Sequence, residues 1–143
     1  MSTEQNKAME HRILAEMNKG NWAIIDEVFA TNFIYHGAGG LDLRGREAFK
    51  QFCVGFGTAF PDFHLAIEDM FAEGDKVVIR TTASGTHKGD FMGIAPTGKR
   101  MSIMGILVAR FTDGKEVEAW ELMDSLGLRR QLGLIPPMGQ PGK

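Results

Sequence analysis

The stretch RMSIMGILVARFTDGKEVEAWELM, residues 100–123, decides the fold. Apolar side chains occupy both alternating sets of positions in its first half, and TDGK at 112–115 has the composition of a hairpin turn. The pattern predicts two neighbouring antiparallel strands, 100–111 and 116–123, the first of them covered on both faces. The two apolar sets are Ile103, Leu107, Ala109 and Phe111 on one face, and Met104, Ile106 and Val108 on the other.

Two further strands are predicted upstream of this stretch. Residues 63–68 alternate between apolar and polar side chains, residues 77–87 are rich in β-branched side chains, and EGDK at 73–76 supplies a turn between them. With the two strands of residues 100–123 they predict a four-stranded antiparallel meander.

The segment GIAPTGKR, residues 93–100, is close to a phosphate-binding P-loop. A P-loop connects a strand to a helix, because the N-terminal amide groups of that helix bind the phosphate. Here strand-like sequence lies on both sides, and Arg100 stands where a P-loop has Ser or Thr. We therefore predict a hairpin turn built on Pro96, Thr97 and Gly98, and no nucleotide binding.

Three helices are predicted before the sheet. STEQ at 2–5 is a capping box that begins the first helix, which ends before Gly20. Asn21 is predicted to cap a short second helix, and a third runs from Glu47 to about Ala59 and stops before a proline. Their apolar faces are Met9, Ile13, Leu14 and Met17; Trp22, Ile25, Val28 and Phe29; and Phe49, Phe52, Cys53, Phe56 and Phe60.

The rest of the chain is predicted to be a glycine-rich loop at 35–47, a short helix at 125–132 capped by Asp124, and a loose tail at 135–143. Helices first and a sheet second predict one α+β domain over residues 1–143, with the helices on one face of the sheet. The other face would expose a large apolar patch, so we expect a homodimer formed through the sheet.

Composition narrows the classes of function. The 143 residues are 43% hydrophobic and 24% charged with a net charge of −2, which is typical of a globular chain and gives no basic surface for nucleic acid. The longest apolar stretch, Ile103–Ala109, is too short to cross a bilayer, and the polar beginning MSTEQNKAME has no signal-peptide pattern, so we expect a cytoplasmic protein. A single cysteine, Cys53, excludes an internal disulfide, and no His or carboxylate spacing predicts a metal site.

Glu121 is the strongest candidate for chemistry in the sequence. It shares one face of the last strand with Val117, Ala119 and Met123. Burial among apolar neighbours would raise its pKa and make it a candidate general base or acid in an apolar pocket. The alternatives are that this face is partly solvated, or that Glu121 forms an ion pair with Arg80 or Arg110.

Three segments together resemble the SnoaL-like polyketide ester cyclases: FPDFHLAIEDMFAEGDKVVIR at 60–80, GTHKGDFMGIAPTGKR at 85–100 and WELMDSLGLRRQLG at 120–133. The resemblance covers nearly the whole chain. It implies the nuclear transport factor 2-like fold, in which a curved antiparallel sheet wraps around helices and encloses one deep apolar pocket.

The resemblance also implies a reaction and a ligand. Characterised members close the last ring of an aromatic polyketide methyl ester by an intramolecular aldol condensation, without metal or organic cofactor. Their catalytic aspartate on the last strand corresponds to Glu121, and a pocket histidine corresponds to Leu107, which can neither donate nor accept a hydrogen bond. We therefore consider His36 and His87 as replacement site residues, although a histidine in either position is more often an ordinary packed or rim residue.

A hydrophobic small molecule is the expected partner. The predicted contacts are Phe33, Tyr35, Phe56, Leu107 and Met123. Cys53 is predicted to be a core thiol rather than a nucleophile, and Asp124 a helix cap rather than a catalytic acid.

Three functions remain open from the sequence. The first is an enzyme that abstracts a proton with Glu121, and the second is a binding protein of the same fold without chemistry. The third is an epoxide hydrolase, which needs two carboxylates flanking an arginine. Arg80 has only Val78 and Thr82 beside it on its own face of the strand, so we rank this function last.

Overall fold

The computed structural model describes residues 2–136 and contains six strands and four α-helices in that range. The strands are β1 Phe29–His36, β2 Asp42–Arg44, β3 His64–Glu73, β4 Lys76–Thr86, β5 Arg100–Thr112 and β6 Lys115–Met123. The helices are α1 Thr3–Asn18, α2 Ala23–Val28, α3 Arg46–Ala59 and α4 Ser125–Gln131. The predicted α+β class is confirmed. Beyond residue 136, the predicted loose tail lies outside the described residues.

The strands form one curved, unclosed sheet in the order β2-β1-β6-β5-β4-β3. The meander β3-β4-β5-β6 is antiparallel throughout, as predicted, and its two tight turns fall at Gly74 and at Asp113-Gly114. Gly74, Asp113 and Gly114 have positive φ angles, which glycine and aspartate adopt more readily than other residues.

Two strands were not predicted. β1 lies mostly before the region 35–47, which was expected to be a loop, but its last two residues and all of β2 fall within it, and the two strands pair with each other. β1 also pairs with β6 in the parallel direction, with Tyr35 opposite Ala119. The β1–β6 pairing joins residues far apart in sequence, and β2 has only three residues. Because neither strand has a strong local pattern, the turn-forming glycines dominate the sequence and favour the loop prediction.

The helix predictions hold with small changes at the ends. Ser2 and Gln5 form the predicted capping box of α1, and Asp124 caps α4 by accepting a hydrogen bond of 2.8 Å from the amide of Gly127. Trp22, rather than Asn21, occupies the N-cap of α2, because the amide side chain of Asn21 donates to Glu16 instead.

The two faces of β5 have different environments. Ile103, Ala109 and Phe111 are at most 3% exposed. Ala109 and Phe111 belong to a core cluster that includes residues of α1, α2 and α3, whereas Ile103 belongs to a cluster with Ala59 of α3 and Leu128 of α4. On the outer face Met104 is 52% and Ile106 46% exposed. The apolar character of both faces is therefore confirmed, and in a single chain the outer face remains open to solvent.

A β-bulge changes which residues of β6 face inward. Arg110 pairs with Glu118, while the next residue, Phe111, pairs with Glu116, so Val117 is the extra residue. The bulge brings the Glu116 side chain into the interior, where it is 2% exposed. Strict alternation along β6 would have placed it on the outer face.

The segment resembling a P-loop connects two strands. Phe91 and Ile94 form a single β-bridge. Residues 95–99 then lead directly into β5, with Gly98 at φ +72°. No helix begins there, so the segment lacks the strand-to-helix form of a P-loop. The predicted hairpin turn on Pro96, Thr97 and Gly98 is wrong: the turn falls at Met92 and Gly93, inside a long connection between Thr86 and Arg100. Within residues 2–136, no helix is both long and apolar enough to cross a membrane.

Candidate active site

A cavity of about 120 Å³ lies between the inner face of the sheet and the helices α1 and α3. Its lining is mainly aromatic and aliphatic. The polar or titratable side chains on its wall, apart from an indole, are Glu10, Tyr35, Cys53, Thr81, Glu116 and Glu121. In the part of the chain that the structure describes, no lysine, arginine or histidine lines it. The cavity therefore combines an apolar wall with acids that have no cation beside them.

Glu121 faces this cavity and accepts a hydrogen bond from the Tyr35 hydroxyl. Burial raises the pKa of Glu121 above its ordinary value, and the hydrogen bond from Tyr35 opposes this rise only in part. The ion pairs considered from the sequence are not formed: Arg80 binds Asp69 at 2.7 Å, and Arg110 binds Glu118 at 3.2 Å. The carboxyl group is thus held in an apolar site by a neutral donor.

The parallel pairing of β1 with β6 explains why Tyr35 reaches Glu121. Tyr35 lies opposite Ala119, two residues before Glu121 and on the same inner face. Its ring packs on Phe49 with centroids 4.9 Å apart, and the residue is 1% exposed. Burial, followed by the negative charge of Glu121, raises the pKa of Tyr35, so it remains a neutral phenol that can donate.

Glu10 and Glu116 are cavity residues that the sequence reasoning missed. Each is 2% exposed, and their carboxyl groups are hydrogen-bonded to each other. Burial raises the pKa of both groups, and the charge of Glu121 adds to the rise. Glu10 could have been found, because it lies three and four residues before Ile13 and Leu14 on the buried face of α1. Glu116 could not, because its inward direction depends on the bulge.

Four of the five predicted ligand contacts line the cavity: Tyr35, Phe56, Leu107 and Met123. Leu107 is directly opposite Glu121 across β5 and β6. Phe33 does not line the cavity. It is fully buried and packs in an aromatic cluster, edge-on to Phe29 at 4.8 Å and against Phe49 at 5.0 Å.

Neither histidine considered as a site residue lines the cavity. His36 follows Tyr35 and so points to the opposite face, where it pairs with Glu118 at 2.8 Å and Asp42 at 3.3 Å and stacks on Trp120. His87 is fully buried away from the cavity, with its ring stacked on Phe60. Its Nδ1 accepts a hydrogen bond of 3.2 Å from the amide of Thr97.

Cys53 lines the cavity but is not set up as a nucleophile. Burial raises the pKa of the thiol, and the charges of Glu121 and Glu116 raise it further, so it stays protonated. Among residues 2–136, no group of three or more His, Cys, Asp or Glu side chains is arranged to hold a metal ion.

An apolar cavity between a curved sheet and helices, with an acid on its wall held by a phenol, defines a small-molecule site suited to acid–base chemistry. A sequence profile described as SnoaL-like polyketide cyclase matches residues 8–132, and the chain belongs to this family. The fold is the nuclear transport factor 2-like fold implied by the sequence motifs.

Individual proteins of known sequence or structure are also similar to this chain. The chain is 30% identical over 136 residues to the aklanonic acid methyl ester cyclase DnrD of Streptomyces peucetius, covering 93% of this chain and 92% of that protein. AclR of Streptomyces galilaeus, provisionally described as a hydroxylase, has a TM-score of 0.86 and 29% identity, with 97% of this chain and 91% of AclR covered. A protein of Jannaschia sp. CCS1, provisionally described as a SnoaL-like polyketide cyclase, shares the fold with a TM-score of 0.86 and 22% identity, over 94% and 95% of the two chains.

Because Glu10, Glu116 and Glu121 have raised pKa values, we expect the protein to lose stability as pH rises. A glutamate of the unfolded chain titrates near about pH 4.3. Above that pH the folded state binds more protons than the unfolded state, so the free energy of unfolding falls until the buried groups have ionised. The Tm followed by circular dichroism should therefore fall between about pH 5 and about pH 8.

The variant that tests the cause is the double substitution Glu10→Gln with Glu116→Gln, which should make this fall shallower. Glu118→Gln is the matched control, because the hydrogen bond from His36 lowers the pKa of Glu118. Removing this carboxyl group should therefore not flatten the fall in Tm with pH. A Tm that is level or rises across this range, or an unchanged slope in the double variant, would contradict the assignment.

Proposed function

We propose that this protein catalyses an intramolecular aldol cyclisation of an aromatic or polycyclic ketone, with Glu121 as the base and without metal or organic cofactor. The observation that carries the proposal is the carboxyl group of Glu121 in the apolar cavity, bonded to the Tyr35 hydroxyl and free of any cationic partner within the described residues. Family membership and the similarity to DnrD support a cyclase.

The reaction needs only proton transfers. The Glu121 carboxylate removes a proton from the carbon next to a carbonyl, and the resulting enolate carbon attacks a second carbonyl carbon of the same molecule. The new carbon–carbon bond forms as the electron pair of the attacked carbonyl moves to its oxygen. Glu121 then returns the proton to that oxygen, so the product is an isomer of the substrate. A base whose pKa lies nearer to neutral pH suits this exchange.

The size of the cavity limits what part of the ligand is enclosed. About 120 Å³ is close to the roughly 150 Å³ of an apolar cavity that binds benzene. The cavity therefore holds one ring as it stands, and a polycyclic ligand must displace lining side chains or leave part of itself outside. Met17 and Met123 are unbranched lining residues that can adapt in this way.

The two alternatives differ in what the site contains. A binding protein without chemistry is favoured by Leu107, which leaves Glu121 without a neighbouring imidazole. The epoxide hydrolase has less support, because the described residues place no arginine on the cavity wall.

Glu121→Gln should abolish cyclisation while leaving ligand binding intact, because the amide cannot accept the proton. We expect a loss of at least about 100-fold in kcat. Aklanonic acid methyl ester, the substrate in the name of DnrD, is the first probe, with the ring-closed isomer of unchanged mass measured by liquid chromatography and mass spectrometry in a buffer containing a chelator. Deuterium exchange into the methyl group of acetophenone in D₂O tests proton abstraction on a smaller ketone.

Glu118→Gln is the matched control, because this residue is on the same strand but its side chain binds His36 and Arg110 on the outer face. Its turnover should equal that of the wild type. Full activity of Glu121→Gln would exclude Glu121 as the base, and a wild-type protein that binds both probes without transforming either would favour the binding protein.

We further propose that the outer face of the sheet is the dimer interface. Its exposed apolar patch consists of Phe71, Met104, Ile106, Trp120 and Leu122. Ile106 and Leu122 are directly opposite each other on β5 and β6, so the patch is continuous across strands. A patch of this kind on one face can pair with itself about a two-fold axis, which makes a second copy the simplest partner.

Leu122→Lys should convert the dimer to a monomer in size-exclusion chromatography with light scattering, because it places a charge in the interface. Leu122 is 74% exposed in the single chain. Met92→Lys is the matched control, since Met92 is 73% exposed but lies in the connection between β4 and β5. A wild-type protein that is monomeric at every concentration would contradict the proposal.

A further inference from the structure

Glu10 and Glu116 form a carboxyl pair on the cavity wall that the proposed proton abstraction does not use. Glu10 comes from α1 and Glu116 from the bulged beginning of β6, so the two elements meet through these side chains. Both residues line the cavity and both are 2% exposed. Buried carboxyl groups are costly unless they are neutralised or bonded. Their retention in an apolar wall therefore requires an explanation.

The hydrogen bonding of the pair is incomplete. The two carboxyl groups bond to each other, but Oε1 of Glu10 has no hydrogen-bond partner within residues 2–136. A buried polar atom without a partner loses its interaction with water and gains nothing in return. Glu10 lines the cavity, so the unsatisfied carboxyl pair is part of the wall against which a ligand would bind.

The surroundings decide whether this atom donates or accepts. The titratable groups on the cavity wall are Glu10 on α1, Tyr35 on β1, Cys53 on α3, and Glu116 and Glu121 on β6. The described lining residues on the other elements carry none, so no cation compensates a negative charge there. A hydrogen bond between two carboxyl groups requires a proton on at least one of them. Burial raises the pKa of Glu10 to about 7 and that of Glu116 well above its ordinary value. Below about pH 7 both groups are therefore protonated, which leaves one hydroxyl free to donate.

The other polar groups of the cavity are less suited to this task. The Tyr35 hydroxyl already donates to Glu121, and a thiol such as Cys53 is a weak donor. Thr81 on β4 is the remaining hydroxyl on the wall. It is 5% exposed and is the competing candidate for the donor.

We propose that the Glu10–Glu116 pair is a neutral hydrogen-bond donor that recognises an oxygen acceptor of the ligand, so that the site selects ketones, esters or quinones over hydrocarbons of the same shape. The inference rests on the proposed function in one respect, since it takes the same cavity as the ligand site. It does not require that Glu121 act as a base.

A pair of shape-matched probes tests the donor. Acetophenone and α-methylstyrene differ only in a carbonyl oxygen against a methylene group, and each has the single ring that the cavity can hold. Their Kd values should be measured by calorimetry for the wild type and for Glu10→Met, which keeps the length of the side chain and removes the donor. Comparing the ratio of the two Kd values between proteins cancels the different hydration of the probes.

In Glu10→Met the ratio of the acetophenone Kd to the α-methylstyrene Kd should rise about three- to tenfold, the effect of one hydrogen bond. Glu10→Gln should keep the wild-type ratio, because its amide can still donate. Glu118→Met on the outer face is the matched control and should not change the ratio. Binding of α-methylstyrene to Glu10→Met shows that the variant is folded.

Three results would overturn the proposal. An unchanged ratio in Glu10→Met would mean that the pair contacts only water or protein. A changed ratio in Thr81→Val together with an unchanged one in Glu10→Met would assign the donor to the threonine hydroxyl. A wild-type protein that binds neither probe would remove the cavity as the ligand site. The ratio of the two Kd values does not depend on whether Glu121→Gln retains turnover. The proposed function and the proposed donor can therefore be confirmed or overturned separately.

Discussion

The site depends on one physical constraint: three glutamate side chains line an apolar cavity to which residues 2–136 contribute no lysine, arginine or histidine. In such surroundings the charged form of a carboxyl group is disfavoured, so the pKa values of Glu10, Glu116 and Glu121 all rise. The three glutamates differ in their hydrogen-bond partners. Glu121 bonds to the neutral phenol of Tyr35, which favours its carboxylate, whereas the other two bond to each other and share protons. One cavity thus contains an acid poised to act as a base and a pair that keeps its protons above the pH at which an ordinary glutamate ionises.

This division of roles follows from the architecture of the sheet. Parallel pairing of β1 with β6 brings Tyr35 to the inner face beside Glu121, and the bulge in β6 turns Glu116 inward toward Glu10 on α1. The same alternation sends His36 and Glu118 to the outer face, where they pair with each other. The apolar wall supplied by the helices then excludes water from the inner set of groups. Chemistry is therefore confined to one face of the sheet, and the other face is left for contact between molecules.

The sequence predicts the parts of this arrangement that depend on local pattern. Periodicity finds α1, α3 and the meander, and the apolar neighbours of Glu121 predict its raised pKa. β1 is missed because it depends on pairing with a strand 80 residues or more away in sequence, as the contact of Tyr35 with Ala119 illustrates. Glu116 is missed because a bulge shifts the alternation, and His36 and His87 are overvalued because residue type alone cannot say which face a side chain occupies. Leu107 opposite Glu121 agrees with the motif correspondence but does not reveal the tyrosine that bonds the acid.

The titration of the Glu121 carboxyl carbon, followed by ¹³C NMR in selectively labelled protein, tests the central claim most directly. The structure predicts a midpoint above the value of about 4.3 for an ordinary glutamate, and a further rise in Tyr35→Phe, because the phenol that favours the carboxylate is lost. A midpoint at or below the ordinary value, or one that Tyr35→Phe leaves unchanged, would contradict the account, since it would mean that Glu121 is solvated or held by another partner.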